Sequence, residues 1–150
     1  MPRFHTAREL PYPPERLFDL VIDVEGYPVF VPGYHRAWIL ERGEDFVDVR
    51  QSVGFDGLRI EYRSIAHFRR PDWITINSED APFRRLHTEW RFIPHQGGCR
   101  VDCSVDWQFR SIALGMVAGP ILAGISRRMV EAFVTRAAAA DQDRPPPASR

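Results

Sequence analysis

The chain has 150 residues, enough for one domain with a core or a cavity and too few for two. Hydrophobic residues make up 44% and charged residues 27%, globular values that exclude a disordered chain. Twenty basic residues balance twenty acidic ones, so no global field attracts nucleic acid or anionic lipid. Every basic residue is arginine, scattered along the chain, which reads as compositional bias more than as a phosphate clamp.

In chain order, Met1-Pro2-Arg3-Phe4-His5 carries no apolar signal segment and leads into a short strand over Arg3–Glu9. Leu10-Pro11-Tyr12-Pro13-Pro14 breaks the chain, and Pro14 opens a helix, because a first-turn residue needs no amide donor. Leu17, Phe18, Val21 and Ile22 then recur at helical spacing. Gly26-Tyr27-Pro28 ends that helix or turns it into a second short one, closed by Pro32-Gly33.

From His35 to Arg110 the period changes to two. Val47, Val49, Gln51, Val53 and Phe55 share one face of a strand. So do Leu58, Ile60, Tyr62, Ser64, Ala66 and Phe68, with Arg59, Glu61, Arg63, His67 and Arg69 between them. Leu86, Thr88, Trp90 and Phe92 alternate with Arg85, His87, Glu89 and Arg91, and Cys99, Val101, Cys103, Val105, Trp107 and Phe109 alternate with polar residues. Turns at 42–45, 56–57 and 94–98, with Gly97-Gly98 the clearest hairpin signal, make this an antiparallel meander of about six strands with one wet face.

After Ser111 a helix runs to about Ala140, with Leu122, Ile125, Met129 and Phe133 as its stripe and Arg127, Arg128, Glu131 and Thr135 outward. Pro120 is expected to kink it or split off its first turns. The uncharged run from Ile112 to Ile125 is about 14 residues, short of the roughly 18 that span a bilayer. Residues 1–140 thus form one α+β domain, a sheet covered by a long C-terminal helix, and 141–150 a disordered tail.

The inward face leaves little for catalysis. Its polar members are Gln51, Tyr62, Ser64, Thr88 and two thiols, while His67, His87, Glu61 and Glu89 fall on the wet face unless a β-bulge reverses the parity. The histidines are isolated, and Cys99 and Cys103, four residues apart on a strand, are separated by about 13 Å, too far for a disulfide. No metal site, phosphate loop or nucleophile elbow is expected.

Four stretches together carry a family likeness: Tyr12-Pro13-Pro14-Glu15-Arg16-Leu17-Phe18, Tyr27-Pro28-Val29-Phe30-Val31-Pro32, Ala81-Pro82-Phe83-Arg84-Arg85-Leu86 with Trp90-Arg91-Phe92, and Arg128-Met129-Val130-Glu131-Ala132-Phe133. In this order they resemble the START-like family of coenzyme-Q-binding and RatA (ribosome-association toxin) proteins, within the polyketide cyclase/dehydrase superfamily. The chain departs from the family pattern at Gly33-Tyr34 and at Ala81. The resemblance implies a helix-grip fold (START or Bet v 1-like), in which a curved antiparallel sheet wraps the last helix around a hydrophobic tunnel. It also implies a ubiquinone or other polyprenyl lipid as ligand, with no required cofactor and no catalytic residues.

On that reading Gln51, Tyr62 and Ser64 hydrogen-bond the quinone carbonyls while Trp38, Trp90 and Trp107 flank the ring or tail. The rest of the expected lining is Tyr27, Phe30, Val49, Val53, Leu58, Ile60, Phe83, Leu86, Phe92, Val105, Leu122 and Met129. Composition by itself favours a solid core for these residues, and it is the resemblance that turns the reading toward a cavity. Gly115, Gly119, Gly124 and Pro120 suit either a soft lid opposite Tyr27–Pro32 or close packing of helix on sheet.

A carrier of this kind would be cytoplasmic, visiting the inner face of the bacterial membrane and its respiratory complexes, and would not bind DNA. The rival reading is ribosome binding, for which the candidate basic pairs are Arg69-Arg70, Arg84-Arg85 and Arg127-Arg128. A cyclase or dehydratase-like enzyme stands third.

Overall fold

The computed structural model describes residues 3–142 apart from residue 56, with side chains placed to residue 139. Its elements are β1 (Arg3–Leu10), α1 (Pro14–Ile22), a 3-10 turn (Val24–Gly26), α2 (Tyr27–Phe30), β2 (Tyr34–Arg42), β3 (Phe46–Phe55), β4 (Leu58–Arg69), β5 (Trp73–Ser78), β6 (Phe83–His95), β7 (Gly98–Phe109) and α3 (Ile112–Gln142). The described strands form one seven-stranded antiparallel sheet in the order β1-β7-β6-β5-β4-β3-β2. Because α3 packs on β1 and β7 at one end of this order and on β3 near the other, the sheet has to curl around the helix. The arrangement is α+β, with α1 filling the concave side against β5, β6 and α3.

Alternation fixes which face of each strand is wet. Along β4, Ile60, Tyr62, Ser64 and Ala66 are buried and the intervening residues exposed, and β7 buries each odd residue from Cys99 to Phe109. Outer charges pair across neighbouring strands, as in Arg50–Glu61 and in Arg63, whose guanidinium grips the buried carboxylate of Asp48. On α1, Leu17, Phe18 and Val21 turn inward, and Phe18 meets Phe68 and Phe92 edge-on at 5.9 and 5.7 Å. The Arg16 guanidinium donates to the Ala137 carbonyl at 2.7 Å, tying α1 to α3.

Several expectations need correction. The β6–β7 hairpin turns on Gln96 (φ 46°) and Gly97 (φ 82°), not on Gly97-Gly98. Both central residues of such a tight turn need positive φ, and Gly98 already belongs to β7, where a Cβ would lie 2.1 Å from the Leu10 carbonyl oxygen. Pro120 does not divide α3, which is continuous through it and extends to Gln142. The expected tail therefore begins inside the helix, and residues 143–150 lie outside the described residues.

The helix segment Ile112–Ala139 has mean hydropathy 1.2, long and apolar enough by composition to cross a bilayer, which its uncharged run alone does not suggest. Here its stripe of Leu122, Ile125, Val130, Phe133 and Ala137 lies on the sheet. Cys99 and Cys103 are both free and buried.

Candidate functional site

Between the sheet, α2 and α3 lies an internal cavity of about 60 Å³. At ~10–15 Å³ per water in this measure it holds a handful of waters, so most of the interior is packed core and not an open tunnel. Of the expected lining, Tyr27, Val49, Gln51, Val53, Tyr62, Ser64, Leu86, Trp90, Val105, Leu122 and Met129 border this space.

The other expected residues lie elsewhere. Phe30 is outside the cavity wall, edge-on to Tyr27 at 6.3 Å and to Phe133 at 5.4 Å, and borders the surface groove between α2 and α3. Trp38 is on the outer face, under the Arg36 guanidinium at 4.7 Å, because a bulge between Tyr34 and Arg36 reverses the parity of β2 and turns Ala37 inward instead. Leu58 pairs with Phe55 at the tip of the β3–β4 hairpin, beyond the end of the cavity. Ile60 and Phe83 fill core, Phe83 stacking on Phe109 at 4.9 Å and meeting Tyr62 edge-on at 5.0 Å. Phe92 packs under α1 beside a smaller void of about 20 Å³. Trp107 is buried near Gly119, and its indole N–H has no hydrogen-bond partner, alone among the buried side-chain polar atoms of the described residues.

Val24, Tyr34, Ala37, Ala66, Ile76, Thr88, Ile125 and Ser126 also border the cavity, although sequence reasoning does not place them at the site. Ala66, Thr88 and Ile125 already have inward parity, so only their depth is missing. Ile76 lies on β5, whose short run stands out by no periodicity. Tyr34 follows Gly33, which adopts φ +90° and lets the turn close on Ile125 and Phe55, where a Cβ would come within 2.9 Å of both. This departure from the family pattern thus puts a tyrosine into the cavity wall.

The polar groups of the cavity form a chain. The Gln51 and Ser64 side chains are hydrogen-bonded, Nε2 to Oγ, at 3.0 Å. The Tyr62 side chain lies beside Gln51, its partner across β3 and β4, and beside Tyr34 in the same cavity wall. Tyr27 donates to the Val21 carbonyl and Ser126 to the Leu122 carbonyl, at 2.9 Å for the serine, which leaves both committed to backbone. Burial pushes the hydroxyls of Tyr27, Tyr34 and Tyr62 above the usual phenol value, and it pushes the Cys103 thiol up to about 12 and the Cys99 thiol to about 11. At neutral pH the interior therefore offers neutral donors and acceptors, able to hold a ligand carbonyl or hydroxyl but with no ionised base to take a proton.

His67 and Glu61 are exposed on the outer face; His87 bonds Asn77 at 2.6 Å, and Glu89 pairs with Arg91. Among the described residues no three metal-ligating side chains converge.

Folding sorts the basic pairs. Arg69 pairs with Asp72 and Arg70 with Asp19, whereas Arg127 and Arg128 meet Arg136, Phe30 and Pro32 in a surface groove of about 550 Å³ between α2 and α3.

The sequence profile of the family described as polyketide cyclase / dehydrase and lipid transport matches residues 10–134. The chain belongs to that family. It is 29% identical over 138 residues to the ribosome association toxin RatA of Escherichia coli K12, covering 91% of this chain and 87% of that protein. To the mitochondrial coenzyme Q-binding protein COQ10 homolog B of Xenopus laevis it is 27% identical, over 89% of this chain and 57% of the relative.

Among solved structures, an 18 kDa protein of Caulobacter crescentus is 31% identical, with a TM-score of 0.72 over 95% of this chain and 99% of its own. A Thermus thermophilus protein superposes with a TM-score of 0.82 at 19% identity, over 93% and 99% of the two chains. START-superfamily and Bet v 1-like neighbours bear out the helix-grip architecture; an aromatase/cyclase from Streptomyces sp. R1128 shares that fold at 23% identity and a TM-score of 0.67, over 93% and 88%.

Proposed function

We propose that this START-like chain binds a hydrophobic small molecule in its internal cavity, with a carbonyl- or hydroxyl-bearing head at Gln51, Ser64, Tyr62 and Tyr34. The observation that carries this reading is the buried polar chain inside an otherwise apolar wall, the pattern of a site that orients one end of a greasy ligand. A polyprenyl quinone such as ubiquinone fits that chemistry, and the COQ10 relative supports it. Sites for such ligands occupy roughly 300–1,000 Å³, so a cavity of about 60 Å³ has to widen on binding. The Tyr27–Pro32 lip and the glycine-containing start of α3 are the walls best suited to move.

The same absence of an interior base favours binding over cyclase chemistry. A quinone role would bring the protein from the cytoplasm to the membrane face and its respiratory complexes.

A second reading, ribosome association in the manner of RatA, has the better support as a cellular role. The RatA relative is matched over far more of its length than the COQ10 relative, and the groove holding Arg127, Arg128 and Arg136 supplies a basic surface that the balanced total charge conceals.

Native mass spectrometry with organic extraction tests the ligand, comparing wild type with Tyr62→Phe, which keeps the ring and removes its hydroxyl. Co-purified or added quinone should bind the wild type, and the variant roughly five- to tenfold more weakly, the equivalent of one net hydrogen bond. A folded wild type that refuses every quinone would overturn the quinone reading, and equal binding by the variant would remove the head from this polar chain.

A further inference from the structure

We propose that the α2–α3 groove is a docking surface for the phosphate backbone of RNA, with Arg127, Arg128 and Arg136 as its contacts. This rests on the ribosome-association reading and names the surface that would carry it.

The arginines differ in how they are partnered. Arg3, Arg8, Arg50, Arg63, Arg69, Arg70, Arg91 and Arg100 each meet a carboxylate. Arg127, Arg128 and Arg136 meet none among the described residues; Arg84 and Arg85 on β6 meet none either, but Arg127, Arg128 and Arg136 are exposed and line one groove. The one acid of that groove, Glu131, is engaged by Arg8 from β1. A chain with zero net charge therefore concentrates three uncompensated positive charges in one concave surface.

Two of the three guanidinium groups are also held in place. Arg136 lies over the Phe30 ring at 5.3 Å from its centroid, and Arg128 over Phe55 at 5.0 Å. An arginine stacked on an aromatic face keeps its hydrogen-bonding edge free and loses less freedom when it meets a phosphate. From Arg128 to Arg136 the helix advances about 12 Å, at 1.5 Å per residue, which suits successive phosphates of a polyanion better than one small anion.

A membrane surface is the less suitable partner. Interfacial helices set basic residues along the flank of an apolar face that inserts. Here the exposed apolar residues of α3, Ile112, Met116 and Val117, lie about 16 Å or more along the axis from Arg128, with Val29 of α2 as the nearer exposed aliphatic.

The test uses the full chain as wild type and as the triple variant Arg127→Ala, Arg128→Ala, Arg136→Ala, with circular dichroism and thermal melting to confirm that both fold alike. Three binding measurements run in parallel: co-sedimentation with purified ribosomes, anisotropy with a labelled single-stranded RNA oligonucleotide, and flotation with phosphatidylglycerol vesicles. The expected result is a loss of at least tenfold in ribosome and RNA affinity. The salt dependence, as the slope of log affinity against log salt, should fall by about 2, the share of three phosphate contacts at ~0.7 each.

Ribosome and RNA binding that survive the triple substitution overturn the groove while leaving the ribosome reading intact. A wild type that ignores ribosomes but binds RNA through these arginines overturns the ribosome reading and keeps the groove. A wild type that binds neither overturns both. Loss confined to vesicles reassigns the surface to anionic lipid. The triple Arg→Lys variant, which keeps charge but loses planar stacking, should retain most of the salt dependence at reduced affinity. A triple Lys variant as weak as the Ala variant would overturn phosphate contact as the mechanism.

Discussion

Between Ile112 and Pro120, α3 exposes Ile112, Met116 and Val117 and buries only Ala118, whereas from Leu122 to Ala137 it buries Leu122, Ile125, Val130, Phe133 and Ala137 and keeps its arginines outside. Composition would suggest the reverse, since the first stretch carries no charge at all. Burial follows what lies beneath, not what the segment contains. The second half rests on the aromatic cluster of Tyr27, Phe30, Trp90 and Phe133; the first has β7 at Phe109 and Trp107 as its nearest support. One helix therefore joins an anchored half to a half with little holding it down, and the weakly held half borders the cavity-facing residues Leu122 and Ile125.

The largest effect that would sharpen this contrast comes from Phe133→Ala, which removes an edge-on partner of three rings. It should cost about 3–5 kcal/mol in urea unfolding, while Met116→Ala should stay within about 0.5 kcal/mol. Similar costs at the two positions would break the comparison.

Next in size is the pair Gly115→Ala and Gly119→Ala. A Cβ at Gly115 meets Phe109 at 3.5 Å and one at Gly119 meets the Trp107 indole nitrogen at 3.9 Å, both ordinary contacts. Together they should stabilise the protein by about 1–2 kcal/mol from helix propensity and slow amide exchange over the first half of α3. A destabilised double variant would mean that this half is limited by packing and not by its glycines.

Smaller again is the alkaline response. The buried thiols and tyrosines hold their protons more tightly when folded than when unfolded, so their contribution to stability is complete below the unfolded thiol value of 9.0. It declines as pH rises from there, while unfolded Cys103 ionises and folded Cys103 does so only near 12. Urea midpoints should fall between neutral pH and about 10; a flat profile would contradict the burial of these groups.

The sheet is largely legible in the sequence because a half-buried strand writes its faces into alternate residues. Tyr62, Ser64, Trp90 and Val105 point inward by parity alone, and they border the cavity. Parity reports the face but not the depth, so it credits Ile60 and Trp107 to a site when they fill core beside it. Trp38 fails for another reason: a bulge inserts a residue without leaving a mark in the hydrophobic pattern. The volume of the cavity is beyond the sequence altogether, since it depends on how closely α3 settles onto residues distant in the chain. Net charge misleads in the same way, because neutrality over the whole chain says nothing of which arginines find partners.

α2 is four residues long, and its two aromatic ends border different spaces, Tyr27 the cavity and Phe30 the groove, while both rest on Phe133 at 5.2 and 5.4 Å. The two rings also meet each other edge-on at 6.3 Å, so with Phe133 they form one packed trio in which a shift of one ring is felt by the next. A molecule that displaces Tyr27 as the cavity widens will therefore displace Phe30, and with it the seat of Arg136. By reciprocity of linkage, whatever factor the interior occupant applies to affinity at the groove, the occupant of the groove applies to affinity inside.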